Sequence, residues 1–267
     1  MSMKRNRPFR ASAVQVLKNS WDFFNLLPKS IEANLHPWRR DSIKRLRSYQ
    51  NSHKGERCFI IGNGPSLRKM DMSKLENELT FGMNRIFLMF PKLGFKTSFL
   101  VSVNDLVIEQ SKDEFRKLDI PVFVSWRARR WLKPQDNLYY LYTTYTGKKF
   151  TKDATKRMWE GATVTYSCLQ LAFYMGFSEA VLIGVDHNFS TKGKPNTTIT
   201  SKGDDLNHFH PDYFGKGFKW QLPDLNTSEV GYWLAKEIYQ KNGRKVVDAT
   251  INGKLAVFPK VNYESLF

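Results

Sequence analysis

Cys58-Phe59-Ile60-Ile61-Gly62-Asn63-Gly64-Pro65-Ser66-Leu67 is the stretch whose reading decides the fold. An apolar run that ends at two glycines one residue apart describes a short buried strand entering a tight turn. Gly62 and Gly64 permit backbone angles and close approaches that a Cβ would block. Pro65 suits the first turn of a following helix, where a missing N–H costs little. Ser66 adds a hydroxyl, and free N–H groups at such a turn face whatever lies above the strand, the anatomy of a phosphate or nucleotide site. No Gly-Lys-Ser/Thr follows, so this is not a Walker loop, and the third glycine of a GxGxxG fingerprint is missing. The residues alone leave two readings open, a nucleotide-binding turn and a plain strand-to-helix connection.

Outward from this turn, strands and helices alternate. Strands are expected at Arg57–Ile61, Leu79–Met83, Thr97–Val103, Pro121–Ser125, Leu138–Tyr142, Ala180–Gly184 and Lys245–Asp248. Helical spacing falls between many of them, at Asp71–Asn77, Asp105–Leu118, Ala162–Met175 and Ser228–Lys241. Near-continuous apolar strands such as Phe99-Leu100-Val101-Ser102-Val103 fit a sheet covered on both faces. The expected fold is therefore α/β, Rossmann-like and doubly wound, with a mainly parallel sheet. Its division is a basic helical N-terminal extension over residues 1–55 and a main α/β domain over 56–267, with a long insertion at about 187–227.

The 267 residues carry 42 Lys+Arg against 25 Asp+Glu, a net charge of +17. Residues 1–57 hold 13 of those cations and 4 of the acids, a net +9, which leaves +8 for the remainder. Val14, Leu17, Trp21, Phe24 and Leu27 recur at helical spacing, and a second helical stretch follows around Asp41–Tyr49. Three readings of this extension stay open: packing on the main domain, contact with an anionic membrane surface, and contact with a partner protein. No recognisable nucleic-acid-binding motif is present, so nucleic acid is not the expected partner. No long apolar run or secretory signal appears, and Cys58 and Cys168 read as buried thiols rather than a disulfide. A cytoplasmic protein is expected, peripheral at the inner membrane face if the basic extension binds lipid.

The strand ends concentrate polar residues. Asn63 follows the first strand, Asn84-Arg85 the second, Asn104 the third, and Asp186-His187-Asn188 follow Gly184 after a later one. Ligands of open α/β sheets bind beyond the carboxyl ends of the strands, although Asn and Asp also favour turns and caps there. From Asn188 to about Thr227 periodicity disappears, and a connection this long is commonly functional. It contains Asp204-Asp205 and His208-Phe209-His210-Pro211-Asp212-Tyr213. Three roles stay open for its histidines: general base or substrate contact, metal ligation beside Asp212, and structural hydrogen bonding.

Taken together, these residues resemble the bacterial sialyltransferases of the Campylobacter lipooligosaccharide type. They are also similar to a related group of flagellin-glycosylation factors and hydroxymethylpterin pyrophosphokinase-like proteins. The resemblance is carried by Gly62-Asn63-Gly64-Pro65-Ser66-Leu67, Asn84-Arg85, Asn104, Gly161-Ala162-Thr163, and the segment from Met175 to Asp186. It implies a Rossmann-like domain with a flexible lid, a CMP-activated sugar donor or related nucleotide, a glycan acceptor, and no required cofactor. Asn63 would approach the donor phosphate, Asn84 and Asn104 its sugar or nucleotide, and Thr163 the donor as well. His210 would act as general base, with His208 as the fallback, in an inverting displacement. Tyr213 or Tyr166 would take the place of a leaving-group tyrosine, because His187-Asn188 stand where the family has one. Related enzymes assemble as oligomers, which implies a homo-oligomer here. Two alternatives remain, a Mg-dependent pterin-type pyrophosphokinase with Asp186, Asp204 and Asp205 on the metal, and a non-catalytic nucleotide-binding module.

Overall fold

The computed structural model describes residues 27–267. The expected helical pattern from Val14 to Phe24 lies outside the described residues. A helix α1 runs through 27–35 and is followed by α2 (Pro37–Leu46), which continues as a 3₁₀ turn to Tyr49. Pro37 stands in the first turn of α2, and the His36 ring accepts the Trp38 N–H, which starts the helix earlier than the expected Asp41.

Seven strands build the central sheet: β1 (Arg57–Ile61), β2 (Thr80–Met83), β3 (Phe99–Ser102), β4 (Val122–Ser125), β5 (Leu138–Leu141), then β8 (Glu179–Ile183) and β11 (Lys245–Asp248). The short pairs β6 (Thr143–Thr144) with β7 (Met158–Trp159), and β9 (Thr198–Thr200) with β10 (Lys219–Gln221), lie outside it. The spatial order is β11-β8-β1-β2-β3-β4-β5, and every neighbouring pair is parallel. The fold is α/β and Rossmann-like. The chain steps outward from β1 to β5, then returns to place β8 on the other side of β1. The topological switch point therefore falls between β1 and β8, and Gly62 and Gly184 face one another there.

Apolar side chains leave both faces of this sheet. One core, with Phe81, Val101 and Leu182, lies beneath α6 (Val164–Met175) and α7 (Leu225–Lys241). The other, with Phe59, Leu100 and Val124, lies beneath α3 (Phe90–Leu93), α4 (Asp105–Gln110), α5 (Lys112–Lys117) and the C-terminal turn. Every residue of α6 is buried, which is why its sequence shows no polar stripe.

Three expectations are corrected. The expected helix Asp105–Leu118 is two helices divided at Ser111, whose buried backbone caps the second. Residues 71–77 form only a 3₁₀ turn, Met72–Leu75, capped by Asp71. After Gly64 the chain likewise makes a 3₁₀ turn over Pro65–Lys69 and leaves it extended at Met70, so no α-helix opens there. Helix α2 packs against β5: Ser42 Oγ accepts the Tyr140 N–H at 3.1 Å, and Arg45 donates to the Asp136 and Leu138 carbonyls at 2.7 and 2.8 Å. None of the helices among the described residues is long and apolar enough to cross a membrane.

Candidate active site at the switch point

Above the carboxyl ends of the strands lies a cavity of about 690 Å³, within the range of small-molecule sites. Its floor is made by Gly62, Asn63 and Gly64 after β1, Asn84 after β2, Asn104 after β3, and Gly184 to Asn188 after β8. One wall is the start of α6, from Glu160 to Thr165. Asn207, His208, Tyr213, Phe214 and Trp220 close it from the long connection between β8 and α7.

The two glycines of the opening turn answer to the protein's own chain. A Cβ on Gly62 would overlap the Gly184 carbonyl, and one on Gly64 would overlap the Asp186 carboxylate. Ser66 donates its N–H to Asp186 Oδ1 at 3.2 Å and its hydroxyl to Oδ2 at 2.6 Å. The position an anion would take over this turn is therefore filled by a carboxylate of the protein. Burial raises the Asp186 pKa, and the Ser66 bonds only partly oppose that shift. Pro65 and Ser66 do not line the cavity.

A free helix start lies across the cavity instead. No side chain caps α6, its first turn has no acid, and residues 162–165 line the cavity. Its leading N–H groups and dipole suit a phosphate. Just before it, Gly161 and Ala162 have φ of +60° and +56°. For alanine that conformation is costly, and it marks a turn held in place by its surroundings. Thr163 Oγ1 lies 3.3 Å from the hydroxyl of buried Tyr232.

The three strand-end asparagines have unequal commitments. Asn104 caps α4 by accepting from Leu106 and Val107 N–H, and Asn84, at φ +50°, accepts from the Ser102 hydroxyl at 2.9 Å. Asn63 is 8% exposed; its Nδ2 donates to the Met83 carbonyl at 3.2 Å, but its Oδ1 has no partner among the described residues. A buried amide oxygen left unpaired costs about 1–3 kcal/mol, so this atom is a ready acceptor for a ligand hydroxyl or amine.

The histidines divide. His208 lines the cavity, stacks on Tyr213 with ring centroids 4.0 Å apart, and holds Asp205 Oδ2 through Nδ1 at 2.7 Å. A carboxylate oxygen accepts this bond, so Nδ1 carries the hydrogen, and Nε2 is the ring nitrogen left to accept a proton. His210 is not among the cavity-lining residues; its Nδ1 accepts the Asp212 N–H at 3.1 Å. Two arginines fix this loop from below. Arg68 donates to the Phe209 and His208 carbonyls at 2.9 and 2.7 Å, and Arg85 donates to those of Asp212 and Tyr213. Phe209 N–H closes onto the Asn63 carbonyl at 2.9 Å. Burial raises the Tyr213 pKa and keeps its hydroxyl protonated.

Asp186, Asp204 and Asp205 do not assemble a metal site. Asp186 serves Ser66, Asp205 serves His208 and the Asn207 N–H, and Asp204 is off the cavity. Among the described residues no three His, Cys, Asp or Glu side chains converge. Sequence reading missed Glu160, which lines the cavity and holds Arg127 at 2.7 Å, and Lys148 and Tyr145 at its rim. Burial raises the Glu160 pKa against the opposing pull of Arg127.

A family model described as MptE-like, 6-hydroxymethylpterin diphosphokinase MptE-like, matches residues 29–192, more than half of the sequence. The chain belongs to the MptE-like family. The match takes in β1, the strand-end asparagines, the start of α6 and Asp186, and stops before the histidine loop. Among solved structures, the chain is similar to the MAf glycosyltransferase from Magnetospirillum magneticum AMB-1, with a TM-score of 0.52 and 14% identity. That similarity covers 96% of this chain and 43% of the other, so this chain spans less than half of its neighbour, and what the two share is the fold. No curated protein sequence gives a significant match.

Proposed function

We propose that the protein is a nucleotide-sugar glycosyltransferase, transferring a sugar from a CMP-activated donor to a glycan hydroxyl with inversion. The observation that carries this reading is that one cavity is faced by both an uncapped helix start and an aspartate-supported histidine. The start of α6 receives the donor phosphate, and Asn63 Oδ1 accepts a hydroxyl or amine of the donor. His208 Nε2 takes the proton of the acceptor hydroxyl as its oxygen bonds to the anomeric carbon. The bond from that carbon to the phosphate oxygen breaks, and CMP leaves with the electron pair. A departing phosphate needs charge stabilisation more than protonation, which the α6 dipole and the neutral Tyr213 hydroxyl supply. The reading draws support from a neighbour named as a glycosyltransferase, while the family is named for a diphosphokinase, which also handles phosphate groups.

Calorimetry with CMP, CDP, UDP, GDP and ATP, with and without Mg²⁺, tests it. Metal-independent binding of CMP is expected, weakened by Asn63→Leu, which removes the unpaired Oδ1 acceptor. Binding of Mg-ATP alone would overturn the reading and favour a diphosphokinase.

A further inference from the structure

The loop joining β6 to β7, residues 147–157, carries Lys148, Lys149, Lys152, Lys156 and Arg157 against the single acid Asp153. These cations line a second recess of about 820 Å³. None of the five is ion-paired with a described residue. The Asp153 carboxylate already accepts the N–H and hydroxyl of Thr155 at 2.9 and 2.6 Å. Ordinary protein surfaces intersperse both signs, and a strip of one sign repels itself.

The strip is also fixed in place. Thr151 N–H donates to the fully buried Gln170 of α6 at 2.9 Å, and the Gln170 amide donates to the Trp159 carbonyl at 3.0 Å. Thr151 Oγ1 ties the loop across to the Arg157 carbonyl at 2.7 Å. Lys148 lines both this recess and the central cavity, so a chain lying along the strip delivers its end to the site of transfer. Leu234 and Ile238 of α7 give the recess an apolar side suited to the C–H faces of sugar rings.

We propose that this strip binds the acceptor, and that the acceptor is an acidic glycan bearing negative groups on successive residues. The inference rests on the transferase reading for the direction of delivery. A recess that shares Lys148 with the cavity favours a chain over the flat surface of a bilayer.

The test is fluorescence anisotropy of the full chain with labelled oligogalacturonate, labelled neutral maltooligosaccharide of equal length, and unlabelled phosphatidylglycerol vesicles as competitor. Oligogalacturonate should bind more tightly than the neutral sugar, and its affinity should fall at least about tenfold between about 50 and 300 mM salt. Replacing Lys149, Lys152, Lys156 and Arg157 together by Gln should cost about tenfold or more, and CMP affinity should not change. The charge reversal Lys149→Glu with Lys156→Glu should do the same. Equal binding of the neutral sugar by the unmodified protein would overturn the proposal without recourse to any variant. Unchanged affinity in a folded variant would also overturn it, as would binding to vesicles but not to oligogalacturonate. A failure to bind CMP, with oligogalacturonate still bound, would remove the transferase reading and leave this site standing.

Discussion

Ser66 and Asp186 close the switch point from opposite sides, the serine giving both its N–H and its hydroxyl to the two oxygens of the aspartate. They join the turn after β1 to the turn after β8, across 120 residues of sequence. The Ser66→Ala variant keeps the N–H bond and loses the hydroxyl bond. It should lose about 1–2 kcal/mol, or about 2–5 °C in Tm. Its CMP affinity should stay within about threefold, since the phosphate is assigned to α6. A collapse in nucleotide binding by calorimetry, with Tm unchanged, would return the phosphate to the β1 turn.

The same carboxylate carries a pH signature. Its folded pKa is raised by burial, so the folded protein holds the Asp186 proton more tightly than the unfolded chain does. Stability from this group is then full below the unfolded carboxylate range, near pH 4, and is lost as pH rises through the raised folded value. The stability of the unmodified protein minus that of Asp186→Asn should accordingly fall as pH rises from about 4 and then level off. Thermal melts of the pair across pH measure it, and a difference that grows with pH would contradict the sign.

His208 and His210 stand two residues apart in different surroundings. Replacing His208 by Ala should lower kcat by about 10²–10⁴-fold with CMP affinity nearly intact. His210→Ala should leave kcat within about threefold. Asp205→Asn should fall between them, because its amide no longer fixes the Nδ1 hydrogen. The reverse ranking of the two histidine variants would move the base to His210.

Arg68 and Arg85 are positioning residues: they hold carbonyls of the histidine loop and do not line the cavity. Loss of either should lower kcat by up to about 100-fold through misplacement of His208, leaving CMP affinity unchanged. Trypsin should also cut faster at Lys202 and Lys216, and Arg68→Lys should restore part of the rate. Unchanged proteolysis with reduced kcat would point to a direct role in chemistry.

The central strands were legible because a sheet buried on both faces must be written in apolar runs such as Cys58–Ile61 and Val181–Ile183. The long connection was legible as an interruption but not as structure. Its strands, Thr198–Thr200 and Lys219–Gln221, are three residues each, too short for an alternation to register. The opening turn was only half legible. Gly62 and Gly64 mark close approach of backbone, but their sequence cannot say that the approaching group is Gly184 and Asp186 rather than a ligand. Lys148 and Glu160 carry no local pattern, since their places at the cavity follow from the β6–β7 pairing and the Arg127 ion pair.

Helix α2 has one more consequence. β5 is the outermost strand on its side of the sheet, and its free row of amides and carbonyls is a template on which another chain can add a strand. Ser42 and Arg45 occupy that row. Helix α2 thereby covers the edge that strand addition by another copy would use. A chain shortened to begin after Tyr49 should show concentration-dependent growth in size by light scattering, and Lys or Pro placed on the bared strand should suppress it.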